Sequence, residues 1–399
     1  MIYQPSRVTP LKELAQRAAR LQAMLREKDL DGAVIMQNAD LFYFAGTTQR
    51  SHLFIPVEGE PALLVRKNYE RARLESGLRQ VWPFGNLKQL AGKLESVGGR
   101  RLRRIGMELD VLPANLYFYY QKLLAPAEII DVSGLIRQVR AVKSPYEIEI
   151  IRDAASLNRK MFSRVKEFLR EGVTEVEFAS RLEAVYRQGG HQGFIRMRGF
   201  NLELVYGHLM SGWNLAVPSF FDGPTGGSGL NPSFPQGSGF KKIARDEPVM
   251  VDYVGVFDGY MVDQGRIFCI GTLPPKMVLA YNVALEVQEM VKERARPGAA
   301  GAELYESAMA IVGKHGLKEH FMGYPEPVAF IGHGVGIELD ELPVLARGMN
   351  APLEEGMVFA LEPKFVFPEG AVGIENTFLV TRSGLENLTV FDESIGYLD

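Results

Sequence analysis

Cysteine is nearly absent. The single one, Cys269, cannot close an intrachain disulfide, which points to a reducing, cytoplasmic setting. It stands in the apolar run RIFCIG, so a packed core thiol is expected. Long apolar runs are missing too. None approaches the roughly 18 residues that mark a membrane-spanning helix, and the opening stretch MIYQPSRVTPLKELAQRAARLQ has no apolar core of an export signal. Neither sign of charge dominates: 45 Lys+Arg stand against 48 Asp+Glu, with no long basic run, which excludes nucleic acid and anionic membrane as expected partners. A phosphate loop is excluded as well, because the Gly-rich stretch FDGPTGGSGLNPSFPQGSG (221–239) lacks the G-x-x-x-x-G-K-[ST] pattern.

What is present suits a folded enzyme. A chain of 399 residues predicts roughly two to three domains, and 46% apolar residues can fill their cores. Leu11, Leu14, Ala18, Leu21 and Leu25 recur at helical spacing. DGAVIMQ reads as a buried strand, FYFAG continues the apolar pattern, HLFIPVEGEPALLV reads as a strand pair turning near Glu58-Gly59, and RRIGMEL is a further short strand. This alternation predicts a small α/β domain over 1–142. A second domain over 143–399 opens on two capping boxes, Ser144 with Glu147 and Thr174 with Glu177, which predict helices over about 145–170 and 175–188. Further helices are expected near 277–295 and 301–315. The 221–239 stretch is expected to be a long, irregular and mobile loop.

The chemistry gathers in three places. In VMVDYVGVFDGYMVDQGRIF (249–268), Asp258-Gly259 signals a two-residue hairpin turn. Phe257 then faces Tyr260 and Val254 faces Asp263, which puts Asp252 and Asp263 on one face as diagonal neighbours. In VFALEPKFVFPEGAVGIENTFLVT (358–381), a turn over 367–370 pairs Val366 with Ala371 and sets Glu362 opposite Glu375. These four carboxylates are read as having no basic partner in either strand run, so the economical partner is a cation. The third place is FIGHGVGIELDELP (330–343). Its imidazole, His333, lies between glycines that leave room for a metal ion to approach. Two Asp, one His and two Glu suit two divalent ions of the Mn, Co, Fe or Zn kind. Such ions, about 3.5–4 Å apart, share a water that ionises near neutral pH.

In these segments the chain resembles the M24 "pita-bread" metallopeptidases, the group of aminopeptidase P, prolidase, methionine aminopeptidase and creatinase. LDGAVIMQNADLFYFAG and VRAVKSPYEIEIIRDAA resemble the creatinase/prolidase amino-terminal domain and its junction. The resemblance implies a creatinase-like N-terminal α/β domain followed by a pita-bread α/β catalytic domain. It also implies a dinuclear site and a homodimer. Asp252 would chelate one ion, Asp263 and Glu375 would bridge, and His333 and Glu362 would hold the other, with Glu362 also the general base.

Three positions depart from the pattern. Where peptide-cleaving members carry histidine in G-x-N-x-A-x-P-H, this chain has Ser219, and where they carry H-E-x-P it has Asp340-Glu341-Leu342-Pro343. An arginine usual before the last ligand is Gly373. Ser219 and Asp340 are therefore candidate substrate-binding residues, and His208, in LVYGHLMSG, is a candidate imidazole from a neighbouring strand. The expected function is dinuclear-metal-dependent hydrolysis of a C–N bond in a short peptide or small amide. Two alternatives stand beside it: non-peptidase chemistry on a small metabolite (amide hydrolase or lyase), and an inactive metal- or partner-binding module.

Overall fold

The computed structural model describes residues 3–399, which divide into two compact units: one of the described residues up to 140 with 198–201, and one of residues 141–197 with 202–399. The first unit is built on a six-stranded sheet. Its strands are β1 (Gly32–Ile35), β2 (Ser51–Pro56), β3 (Ala62–Val65), β4 (Gln80–Pro83), β5 (Arg104–Met107) and β6 (Glu128–Asp131), in the order β4-β3-β2-β1-β5-β6. The amphipathic helix Leu11–Glu27 buries Leu14, Ala18, Leu21 and Leu25, the helical stripe legible in the sequence. FYFAG is not extended. It lies in the helix Asn38–Ala45, which begins where the Gln37 side chain accepts from Asp40 N and ends where Gly46 turns left-handed at φ 74°.

The second unit carries the hairpins. Its strands are β7 (Gly207–Ser211), β8 (Val249–Phe257), β9 (Tyr260–Ile270), β10 (Phe330–Val335), β11 (Leu339–Ala346), β12 (Val358–Leu361), β13 (Lys364–Phe367), β14 (Gly370–Gly373), β15 (Asn376–Thr381), β16 (Gly384–Asn387) and β17 (Gly396–Leu398). They form a four-stranded sheet, β17-β9-β8-β7, a five-stranded sheet, β11-β10-β12-β15-β16, and the β13-β14 ribbon. An isolated bridge joins Gly265 of β9 to Glu375, with each backbone N–H donating to the other's carbonyl at 3.2 Å.

One helix pair covers β7–β9 and a second covers the ribbon and β11. The first helix of the first pair starts as a full capping box: Ser144 Oγ accepts from Glu147 N, Glu147 Oε2 accepts from Ser144 N, and Pro145 sits in the first turn. It ends at Phe162, and a separate turn, Val165–Phe168, follows instead of one helix to 170. At the next helix, Glu175–Gln188, Thr174 caps Glu177 N, but the Glu177 carboxylate pairs with Arg181, so only half of the second box forms. The second pair is Pro275–Arg294 and Gly301–Lys314. Cys269 is fully buried among the side chains beneath that pair, where it packs as a small apolar residue.

Candidate metal centre

The register of β8 and β9 settles the first pair of carboxylates. Phe257 pairs with Tyr260, Val254 with Asp263 and Asp252 with Gly265, so Asp252 and Asp263 share a face. Gly265 has a specific task there. A Cβ on it would stand 3.2 Å from Glu375 Cβ and 3.4 Å from Asp252 Cγ, so a side chain would wedge the two acids apart.

The second hairpin keeps one register across a break. β13 and β14 pair Val366 with Ala371 and Lys364 with Gly373, and β12 and β15 pair Leu361 with Asn376. Glu362 and Glu375 fall between these two stretches, as the turn length implied. His333 comes from β10. Its Nε2 lies 3.5 Å from Glu362 Oε1 and 3.9 Å from Glu375 Oε1, and its Nδ1 lies 3.3 Å from both Gly334 O and Asp340 Oδ1.

All five acids and the imidazole predicted or flagged around this point are drawn together, but not around one centre. Ligand atoms of Asp263, His333 and Glu375 lie within 4.8 Å of one another, close enough to hold a metal ion. Glu375 Oε1, buried in this group, has no hydrogen-bond partner. An orphaned carboxylate oxygen in a dry place is costly unless a cation meets it. Burial first, and then the Asp252 charge, push Asp263 up to about 8, and burial likewise lifts Glu375 well above the carboxylate range. The donor set on this side therefore fits a divalent ion.

The other side already holds a cation. Lys364 Nζ sits 2.7 Å from Asp252 Oδ2, 2.8 Å from Glu362 Oε2 and 2.8 Å from Glu375 Oε2. Burial works against this ammonium, yet the three carboxylates hold its pKa well above the usual lysine value. Burial also opposes the Asp252 carboxylate, but Lys364 keeps its pKa below the ordinary range. This corrects the reading that these acids have no basic partner on their own strands. Lys364 was legible: it lies two residues beyond Glu362, and alternate residues of a strand share a face.

The glycines beside His333 have a different reason from the one expected. A Cβ on Gly334 would strike Leu342 O at 2.3 Å, and one on Gly336 would strike the Glu341 carboxylate at 2.6 Å. They let β10 close on β11 and do not open a path for a metal ion. Of the three acids after His333, Glu341 is structural: buried, it accepts from Ile337 N and Glu338 N and pairs with Lys143. Asp340 does reach the cleft. Its left-handed φ of 62° turns it toward His333, with half its side chain exposed.

A cavity of about 160 Å³ lies over these groups, lined also by Tyr206, His208, Phe221, Asp222 and Pro224. His208 thus enters the cleft, paired across β7 and β8 with Asp252, its Nε2 against Gln236 Oε1. Ser219 does not line it; its hydroxyl donates to Pro235 O at 2.5 Å inside the Gly-rich segment.

That segment is tied down, contrary to expectation. Glu175 is the anchor that sequence reasoning missed. Its carboxylate accepts from Ser211 N, Ser211 Oγ, Asn214 Nδ2 and Gly239 N, while Asn214 Oδ1 accepts from Ser228 N. The glycines permit close backbone approach: a Cβ on Gly226 would lie 2.5 Å from Ser219 N. Phe221 to Thr225 are thereby held against the cleft.

Comparison with known proteins agrees with this architecture. The family model described as metallopeptidase family M24 matches residues 149–382, and that of the creatinase/prolidase N-terminal domain matches 17–142. A Xaa-Pro dipeptidase of Pyrococcus horikoshii is 27% identical over 377 residues, covering 94% of this chain and 97% of its own. A Xaa-Pro dipeptidase of Lactobacillus helveticus is 29% identical over 390 residues, covering 94% and 97%. The solved prolidase from Pyrococcus horikoshii OT3 superposes with a TM-score of 0.79 at 26% identity, over 94% of this chain and 99% of its own.

Proposed function

From a chain that belongs to metallopeptidase family M24, with a creatinase-type N-terminal domain, we propose an enzyme that hydrolyses a C–N bond in a short peptide or small amide bearing a free amine. Hydrolase chemistry with a divalent metal ion is the family's. The substrate and the roles of single residues are our reading. The observation that carries it is the convergence of Asp263, His333 and Glu375 ligand atoms within 4.8 Å beneath an open cleft. Asp263, His333 and Glu375 would hold a divalent ion there, which would supply a water that ionises near neutral pH and a Lewis acid for the carbonyl.

The chain's own groups do the rest. Glu362, whose Oε1 faces His333, is the general base that takes the water's proton. Asp340 and His208, which line the cleft, are our candidates to meet the substrate, and Asp222, Asp252, Asp263, Asp340, Glu362 and Glu375 make the cleft strongly acidic. Even with a divalent ion and Lys364 present, negative charge remains in surplus. That favours a cationic amine on the substrate. We assign this chemistry to residues 143–399, with 1–142 as the accessory domain. Mn, Co, Fe or Zn suit the donor set. Two such ions are what five ligands suggest from sequence, and Lys364 bears directly on that number. The single buried thiol supports a reducing, cytoplasmic setting, and the family resemblance supports a homodimer. No helix among the described residues is long and apolar enough to cross a membrane.

The relatives named as Xaa-Pro dipeptidases make the dipeptide the first substrate to try. With Ser219 turned away, Asp340 in place of an imidazole and Gly373 in place of a guanidinium, Xaa-Pro dipeptides are expected to be slower than another amine-bearing amide. Each acid–base or oxyanion group missing typically costs about 10²–10³ in rate. The test is a screen of dipeptides, N-acyl dipeptides and small amides on protein loaded with Mn²⁺ or Co²⁺, read by mass spectrometry. Hydrolysis of free-amine substrates over their N-acylated forms supports the reading. A metal-loaded protein that cleaves none of them overturns it.

A further inference from the structure

We propose that Lys364 permanently fills one of the two cation positions of this site, so that the enzyme works with a single divalent ion held by Asp263, His333 and Glu375. This rests on the metallohydrolase reading above and restricts it.

The geometry is that of a two-cation centre with one cation built into the chain. Glu362 and Glu375 each span it. Glu362 sends Oε2 to Lys364 Nζ and Oε1 toward His333 Nε2, and Glu375 sends Oε2 to Nζ and Oε1 toward the same imidazole. Asp252 faces Nζ alone of these two places, and Asp263 belongs to the other. An ammonium has three N–H donors and no acceptor. Here three carboxylates take all three, at 2.7, 2.8 and 2.8 Å. No donor of the ammonium is left over. A divalent ion at this spot would need the same Asp252, Glu362 and Glu375 oxygens at about 2.0–2.2 Å, and so would have to expel the ammonium.

Expulsion has no ready route. Lys364 is 3% exposed. Its strand is pinned on both sides: it pairs with Gly373 in the ribbon, and its carbonyl accepts from Met322 N at 2.8 Å. Gly373 belongs to the same device. A Cβ there would lie 2.6 Å from Lys364 Cγ, 2.7 Å from Lys364 Cα and 2.5 Å from Pro363 O. The position where the family resemblance leads one to expect arginine is thus kept bare by the lysine stem. A bulky cation at 373 and a buried lysine at 364 exclude one another.

The exchange alters the charge delivered. A fixed ammonium brings one positive charge and no open coordination position, so it neutralises the acids without binding water or substrate oxygen. Glu362 is then clamped through Oε2, with Oε1 alone free to face the remaining ion and its water.

The test counts ions. Wild-type protein, Lys364→Met and Lys364→Ala are saturated with Mn²⁺, freed of excess ion and analysed for metal per chain, and Mn²⁺ is further read by electron paramagnetic resonance. Wild type is expected to hold one ion per chain with the six-line signal of an isolated Mn²⁺. Lys364→Ala, and Lys364→Met where its thioether leaves room, is expected to gain a second ion and the broadened signal of a coupled pair. Two ions in wild type, or a folded Lys364→Ala that still holds one, overturns the inference and leaves the metallohydrolase reading standing. No ion in wild type at saturating Mn²⁺ or Co²⁺ overturns both. Should both variants fail to fold, the wild-type count and its signal still decide.

Discussion

Replacing Glu175 should loosen the Gly-rich wall of the cleft without touching any group over the metal centre. The carboxylate is fully buried and its two oxygens accept four hydrogen bonds: Ser211 N at 2.7 Å and Ser211 Oγ at 3.0 Å on Oε1, Asn214 Nδ2 at 2.6 Å and Gly239 N at 3.0 Å on Oε2. Glu175→Ala orphans two buried backbone donors and one amide donor. A buried donor left unpaired costs about 1–3 kcal/mol, so a local loss of about 3–4 kcal/mol follows after partial relaxation. Glu175→Gln is not a mild change here. One of its two terminal atoms becomes a donor, and both sites are already filled by donors; Asn214 cannot turn over, because its Oδ1 holds Ser228 N at 2.8 Å. A loss of about 2 kcal/mol is expected for it. Native-state hydrogen exchange reads this directly. The Ser211, Ser228 and Gly239 amides should exchange roughly 150- to 700-fold faster in Glu175→Ala, at about 1.4 kcal/mol per factor of ten. The Ile105 amide, in the other unit, should not change. KM should rise more than kcat falls, since Phe221 to Thr225 line the cavity while the ligands do not move. Exchange within about fivefold of wild type at all three amides, or a Glu175→Gln indistinguishable from wild type, would refute the argument that this carboxylate holds the wall in place.

Two further perturbations follow from the same geometry. Asp340→Asn keeps a residue that tolerates the left-handed backbone but removes a charge from the rim; because that side chain is half exposed, the gain in KM for an amine-bearing substrate should be modest, roughly three- to tenfold, with metal content unchanged. An unchanged KM would remove Asp340 from the binding site. His52, in the first unit, is lowered to about 4 by burial, with Arg66 and Arg50 adding to it, and it is bonded to Tyr120 Oη at 2.7 Å. Its neutral form belongs to the fold, whereas the unfolded chain takes up the proton below about 6.5. Stability of about 3 kcal/mol, present at neutral pH, is therefore lost as the pH falls from about 6.5 to about 4. His52→Gln should flatten that acid limb in urea melts taken at several pH values, and an equal slope in both proteins would rule out His52 as its source.

The features legible in the sequence are those decided by neighbours in the chain. Asp258-Gly259 sets a two-residue turn, and from that turn alone Val254 must face Asp263 and Asp252 must share its face. Ser144, Pro145 and Glu147 start a helix whatever lies around them. FYFAG is an exception on the local side: its composition is that of a strand, yet the neighbouring Gln37 cap and left-handed Gly46 make it a helix. Where contacts from far along the chain decide, the same residues are ambiguous. Glycines in 221–239 read as slack, because no single sequence says that Ser219 and Gly237 backbones will press against them or that Glu175 will tie them down.

Lys364 falls between these cases. The register that sets Glu362 opposite Glu375 also sets Lys364 opposite Gly373, and period-two alternation turns it to the face of the acids. Four like charges suggest an external cation, whereas the internal one stands two residues beyond Glu362. The two readings make different demands on the chain. Four acids awaiting two metal ions leave the fold burdened by repulsion until the ions arrive. Three of them closed on an ammonium relieve that repulsion within the fold itself, and leave Asp263, His333 and the free oxygen of Glu375 as the place around these acids where a cation is still needed.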